Sequence, residues 1–202
     1  HYLHFTGITG WVRRGMIRFS IPMIPSTIFW WITNVSDRYL VSYMINTAAN
    51  GLYAAAYKVP TIIMLISSIF SDAWQMSAIS ARNSANRARF FTTVFRAYQA
   101  IVFVTAAGLI AFAKVITKIL VSESFYSSWQ YIPILVMATT FACLSTFFSG
   151  IYMMEKKSVL TLLTTMLGAI SNVAMNILFI PYMGVNGAAL ATFISYFLVF
   201  VV

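Results

Sequence analysis

The chain has 202 residues, 60% of them hydrophobic and 8% charged, and its mean hydropathy is +0.83. No soluble domain of this length sustains that balance, so a polytopic membrane protein is expected. The 13 basic residues outnumber 4 acidic ones for a net charge of +9, but most fall in short loops between apolar stretches, a mark of membrane topology and not of nucleic-acid binding.

A spanning helix needs about 20 apolar residues, and six segments answer that description, at about 19–43, 51–79, 97–119, 130–154, 159–180 and 186–202. The expected fold is therefore all-α, a six-helix transmembrane bundle. Residues 1–18 read as an approach, with Trp11 suited to an interface and Arg13, Arg14 and Arg18 forming a basic cluster. In the first span Pro22 falls in the opening turn, where proline is cheap, while Pro25 is expected to bend or break the helix. Trp30 and Trp31 follow, then Asn34, Asp37 and Arg38, with Asn34 and Arg38 four apart and so on one helical face. Asp37 and Arg38 either mark the outer interface or face a polar pathway.

The second span raises a question of length. Between Lys58 and Asp72 lie 13 residues, about 20 Å of helix against about 30 Å of hydrocarbon. At least one of these charges lies below the surface, because a continuous helix cannot place both outside. Lys58 can snorkel on its long stem, whereas Asp72 needs a partner or water. Their spacing, close to four turns, puts both on one face as a cavity-facing stripe, with two independent end anchors as the other reading. Pro60 adds a break in the first turn.

Residues 80–91 form a basic loop with Arg82, Arg87 and Arg89, and Arg96 and Lys114 bracket the third span as anchors, with Lys118 extending its outer end. Residues 121–130 form a polar loop with interfacial Tyr126 and Trp129. Pro133 starts the fourth span, and Glu155, Lys156 and Lys157 close it. From 158 to 202 there is no charge, and PYMGVNG at 181–187 supplies the turn that divides this stretch into two spans. Asn172 and Asn176, four apart, read as a polar face against a neighbouring helix. The approach, the 80–91 loop and the 154–157 turn carry eight bases and the alternating loops none, so the basic side and the chain end are expected to be cytoplasmic. Arg38, Lys58, Lys114 and Lys118 lie outward, as an anionic ligand passing that side would require.

Nothing points to an enzyme or a cofactor. The lone Cys143 offers no disulfide or metal partner and reads as a small buried residue. His1 and His4 stand at the edge of the chain and the four acids are scattered, without nucleophile–base pair, phosphate loop or metal spacing. The lack of an initiator Met and the apolar ending FLVFVV read as a piece of a longer protein.

NVSDRYLVSYMINTAANGLYAAAYKVP at 34–60, followed by SDAWQMSAI at 71–79, resembles the seventh and eighth helices of bacterial polysaccharide flippases, whose superfamily also holds multidrug and toxin extruders. PYMGVNGAALATFISY at 181–196 is similar to the same family's P, then G-x-x-G-A-A-x-A-T-x-x-S-Y pattern. The resemblance implies two six-helix bundles facing each other across a cavity that opens alternately to either side of the cytoplasmic membrane. This chain would be the C-terminal bundle, its partners the N-terminal bundle of the same protein, membrane lipid and an oligosaccharide on undecaprenyl diphosphate. Arg38 and Lys58, with Asn34 in the cavity, would attract the diphosphate or an acidic glycan. Asp37 and Asp72 would serve ion coupling or balance those bases. The N-terminal bundle is absent, and half a cavity is not expected to transport alone. The alternatives are a multidrug cation extruder of the same superfamily, against which the scarcity of acids speaks, and a non-transporting membrane scaffold or membrane-embedded glycosyltransferase.

Overall fold

In the computed structural model, residues 10–81 and 87–202 are described, and every element among them is helical. His1, His4 and Arg82 lie outside these residues. The elements run α1 (Gly10–Met44), α2 (Thr47–Ala56), α3 (Pro60–Ala81), α4 (Arg87–Ala111), α5 (Ala113–Leu120), a 3-10 helix (Glu123–Gln130), α6 (Ile132–Met154), α7 (Ser158–Met183) and α8 (Val185–Val201).

Two expectations about the first helix change. Residues 10–18 are part of α1, whose 35 residues make about 52 Å against a hydrocarbon layer of about 30 Å. Arg13, Arg14 and Arg18 are thus exposed residues of the helix's own first turns. Nor does Pro25 end the helix, which continues through both prolines. Each proline removes one backbone donor, but Ser26 and Thr27 donate to the carbonyls of Pro22 and Met23 at 2.8 and 3.0 Å and reinforce the turn.

Asn46 ends the following turn, its side chain accepting the Ala49 N–H at 2.8 Å and capping α2. The second expected span is broken. Tyr57, Lys58 and Val59 form a turn between α2 and α3, and the two helices meet at 44°. Pro60, as the first residue of α3, suits a helix start and prevents continuation from α2. The bend has an architectural consequence. It lets α2 pack on α1 while α3 leaves α1 for α6 and α4, so that a wedge opens between α1 and α3.

Among the described residues three helices are long and apolar enough to cross a membrane, at Ala88–Ala111, Ile132–Met154 and Ser158–Met183, and the bent α2–α3 pair makes a fourth if counted as one span. α8 is apolar but shorter, at 17 residues, and α1 mixes prolines, Trp, Ser, Thr and Asn into its apolar stretch. The chain is a multi-pass membrane protein, although not all six expected spans meet a strict apolar-length test.

α7 and α8 pack on each other, α1 on α7, α6 on α8, and α3 and α4 on α6. The α3–α4–α6 side is held by aromatic rings: Trp74 stacks on Phe147 at 4.5 Å, Phe70 stacks on Tyr98 at 4.9 Å and Phe95 meets Phe148 at 5.0 Å. Gly184 alone separates α7 from α8, at φ +60° and ψ −135°, a conformation that favours glycine. Gly187 is needed for space, since a β-carbon there would strike the Phe179 carbonyl and lie 2.9 Å from the Ile180 nitrogen. Gly187→Ala is expected to cost about 1–3 kcal/mol, seen as a lower thermal midpoint of the detergent-solubilised protein. Gly15→Ala, where the added carbon meets nothing within 4 Å, should leave the midpoint unchanged.

Candidate functional site

Two polar features lie within this apolar frame. The first is a buried network around Asp37. Successive helical residues point about 100° apart, so Asp37 turns inward, 2% exposed, while Arg38 and Tyr39 turn outward. Asp37 Oδ2 accepts from the Tyr53 hydroxyl at 2.8 Å and the Thr192 hydroxyl at 2.6 Å, and Oδ1 accepts from Asn176 Nδ2 at 2.6 Å. Asn172 joins through its side-chain oxygen, which accepts from Ser36 at 2.7 Å. Four helices, α1, α2, α7 and α8, thus converge on one carboxylate. Among the described residues no cation pairs with it. Three donors replace water, as burial of a carboxylate requires.

The network has a hydrogen pattern for either protonation state. With Asp37 ionised, Tyr53, Thr192 and Asn176 all donate to it. With a proton on Oδ2, Asp37 donates to Thr192, which turns its own hydrogen to the Ala188 carbonyl 2.9 Å away. One buried acceptor, Asn176 Oδ1, has no partner. The carboxyl group of Asp37 therefore has hydrogen-bond partners in either protonation state. Among the described residues there is no group of three or more His, Cys, Asp or Glu.

The second feature is a cavity of about 360 Å³ in the wedge between α1 and α3, floored by α6, α7 and α8. α1 contributes Trp30, Thr33 and Asn34, and α3 contributes Ser67, Ser68, Ser71 and Asp72. Ser145, Thr146 and Ser149 line it from α6, Thr164 and Thr165 from α7, and Tyr196 from α8. Most of these polar groups spend a hydrogen on the protein. Thr33, Ser145, Thr146, Thr164 and Thr165 each donate to the carbonyl four residues earlier, at 2.8–3.0 Å. Ser68 donates to the Leu65 carbonyl and Asn34 to the Trp30 carbonyl. Ser67 pairs with the Tyr98 hydroxyl, whose hydrogen goes to the Cys143 carbonyl.

The residues singled out in the sequence thus separate. Asn34 and Asp72 line the cavity, and Asp72 is the one charged residue among the described residues that line it. Asp37 lies beneath the surface in its own network and is not an interfacial marker. Arg38 and Lys58 are exposed and line no part of this cavity. The Arg38 guanidinium lies 5.8 Å from the centre of the Tyr57 ring, and Lys58 occupies the α2–α3 break. The stripe joining Lys58 to Asp72 does not exist, because the helix that would carry it bends between them. Outside both features, Lys114 sits 4.3 Å over the Trp129 ring, an anchoring contact. Tyr53, Asn172, Asn176 and Thr192 are functional candidates not identified as such in the sequence. The four-residue spacing of the two asparagines was the available signal, but their partner lies 139 residues from Asn176 in the chain.

The chain matches the family model described as polysaccharide biosynthesis protein over residues 8–130, more than half its length. No curated protein sequence matches significantly. Among solved structures it is similar to a MOP superfamily transporter from Pyrococcus furiosus, described as having a binding pocket of reversed polarity, with a TM-score of 0.74 and 19% identity. It is also similar to an outward-facing multidrug resistance transporter of the MATE family in the same superfamily, with a TM-score of 0.70 and 19% identity. Both alignments cover 93% of this chain and 43% of the other.

Proposed function

Because the chain belongs to the polysaccharide biosynthesis protein family, within the MOP superfamily of exporters, we propose that it is the C-terminal bundle of a flippase for lipid-linked oligosaccharides. The hydroxyl-rich cavity between α1 and α3 carries this reading: it offers many hydrogen-bonding oxygens and one charge, as a polyhydroxylated substrate needs. The glycan enters this cavity, while the exposed Arg38 and Lys58 attract the diphosphate of its carrier. The N-terminal bundle supplies the facing wall, and relative motion of the two bundles changes access from the inner to the outer leaflet of the cytoplasmic membrane. Asp37 couples the change to an ion, since its carboxyl group has hydrogen-bond partners with or without a proton.

The test is complementation of a deletion strain with the full-length gene, reading surface polysaccharide, lipid-linked precursor and protein abundance. The wild-type gene should restore surface glycan and clear the accumulated precursor. Arg38→Ala with Lys58→Ala should lower export about tenfold at normal abundance, the equivalent of ~1.4 kcal/mol of lost substrate attraction. Normal surface glycan in the deletion strain would sink the reading. Asp72, the one charge among the described residues lining the cavity, favours a second reading, export of organic cations. That reading expects the deletion strain to become sensitive to cationic dyes without accumulating precursor.

A further inference from the structure

We infer that the α1–α3 cavity receives a non-acidic sugar ring of the repeat unit and turns away both the carrier diphosphate and any uronic acid. This rests on the flippase reading and adds which part of the substrate, and which sugars, the cavity takes.

The argument concerns hydrogen direction. A hydroxyl has one hydrogen to give and two lone pairs to accept with. Along this cavity the hydroxyl hydrogens are largely committed to helix carbonyls, and the Asn34 amide also gives one to its own helix. The lone pairs remain, so acceptors outnumber free donors along the wall, with Ser71, Ser149, Tyr196 and the second Asn34 N–H as the exceptions. Asp72 adds two carboxylate oxygens, and among the described residues no Lys, Arg or His lines the space. Phosphates and carboxylates only accept, and they meet here a wall with more acceptors than free donors and a like charge. Sugar hydroxyls and N-acetyl N–H groups donate, and they meet lone pairs along most of it. The Trp30 ring, Met64 and Val199 supply apolar surface for the C–H faces of a sugar. At about 360 Å³ the space falls within the range of small-molecule sites. The diphosphate, excluded from the cavity, is left to bases outside it such as Arg38.

The experiment is binding to the purified full-length protein in nanodiscs, by microscale thermophoresis. Three probes are compared: a short prenyl diphosphate carrying N-acetylglucosamine, the same lipid carrying glucuronic acid, and the bare prenyl diphosphate. The N-acetylglucosamine lipid should bind about tenfold more tightly than the glucuronic acid lipid, from the like charge at Asp72. Asp72→Asn, at an exposed position that the fold does not depend on, should narrow the ratio to about threefold or less. Equal or tighter binding of the glucuronic acid lipid overturns the inference, and so does a ratio unmoved by Asp72→Asn. If both glycolipids bind alike but better than the bare lipid, the sugar selectivity falls and the flippase reading stands. If neither outbinds the bare lipid, both fall.

Discussion

Asp37→Ala is expected to abolish export and to reduce the yield of folded protein, whereas Asp37→Asn should recover most of the yield and none of the export. Alanine removes the acceptor that Tyr53, Thr192 and Asn176 share and leaves a void at a site only 2% exposed, with Thr192 falling back on the Ala188 carbonyl, Asn176 on Asn172 and Tyr53 on the Thr192 hydroxyl. Each lost hydrogen bond to a charged group costs about 1.5–3 kcal/mol, so the α1–α7–α8 junction loses a large part of what holds it. Asparagine keeps the shape and one accepting oxygen, but its NH2 group opposes donors on one side and it cannot take up a proton or carry a negative charge. The pair of variants therefore separates structure from coupling. Export by Asp37→Asn at wild-type rate and with the same dependence on the ion gradient would make Asp37 a packing residue, and the coupling would have to be sought elsewhere.

Thr146→Trp should stop export without unfolding the protein. Thr146 is exposed and lines the cavity from α6, so an indole there projects into open space and not into the packed aromatic side. A ring in a space of about 360 Å³ competes directly with a sugar ring. A loss of about a hundredfold is expected, equivalent to ~2.7 kcal/mol of substrate binding, at an unchanged thermal midpoint. Thr146→Ser, which keeps the hydroxyl, should export normally. Undiminished export by the Trp variant would move the substrate path out of the α1–α3 wedge.

The start of α6 and the turn between α6 and α7 were legible because Pro133 and the charged Glu155, Lys156 and Lys157 mark them: local chemistry sets local structure. The end of α7 was not legible, because Pro181, read as part of a turn at 181–187, lies inside the helix and Gly184 alone ends it. The course of α1 was not, since Pro25 reads as a breaker and only the surrounding helices decide whether a turn lacking one hydrogen bond survives. The Lys58–Asp72 argument failed differently. It took one straight helix as its ruler, and the bend at Tyr57–Val59 removes the shared face. For the candidate site, Asn34, Asp37 and Asp72 stood out as polar residues in apolar surroundings, but their sorting into a buried network and an open cavity did not. Asp37 and Arg38 are neighbours in the chain and face opposite ways, and the partners of Asp37 on α7 and α8 belong to a distant part of the sequence. Periodicity reports which residues share a face, not which face of another helix meets it.

That distance also sets a schedule for biogenesis. Asn176 and Thr192 follow Asp37 by 139 and 155 residues, and at about 5–20 residues per second the ribosome delivers them roughly seven to thirty seconds after Asp37 itself. Through that interval α1 carries a carboxyl group into the insertion machinery with Tyr53, on the next helix, as its only nearby donor among its final partners. The nascent helix must wait at the edge of the bilayer, be shielded by an insertase, or enter with the carboxyl protonated. The later α7 and α8 thus close the lock on α1, and a chain cut short before α7 should be cleared by membrane proteases and not accumulate.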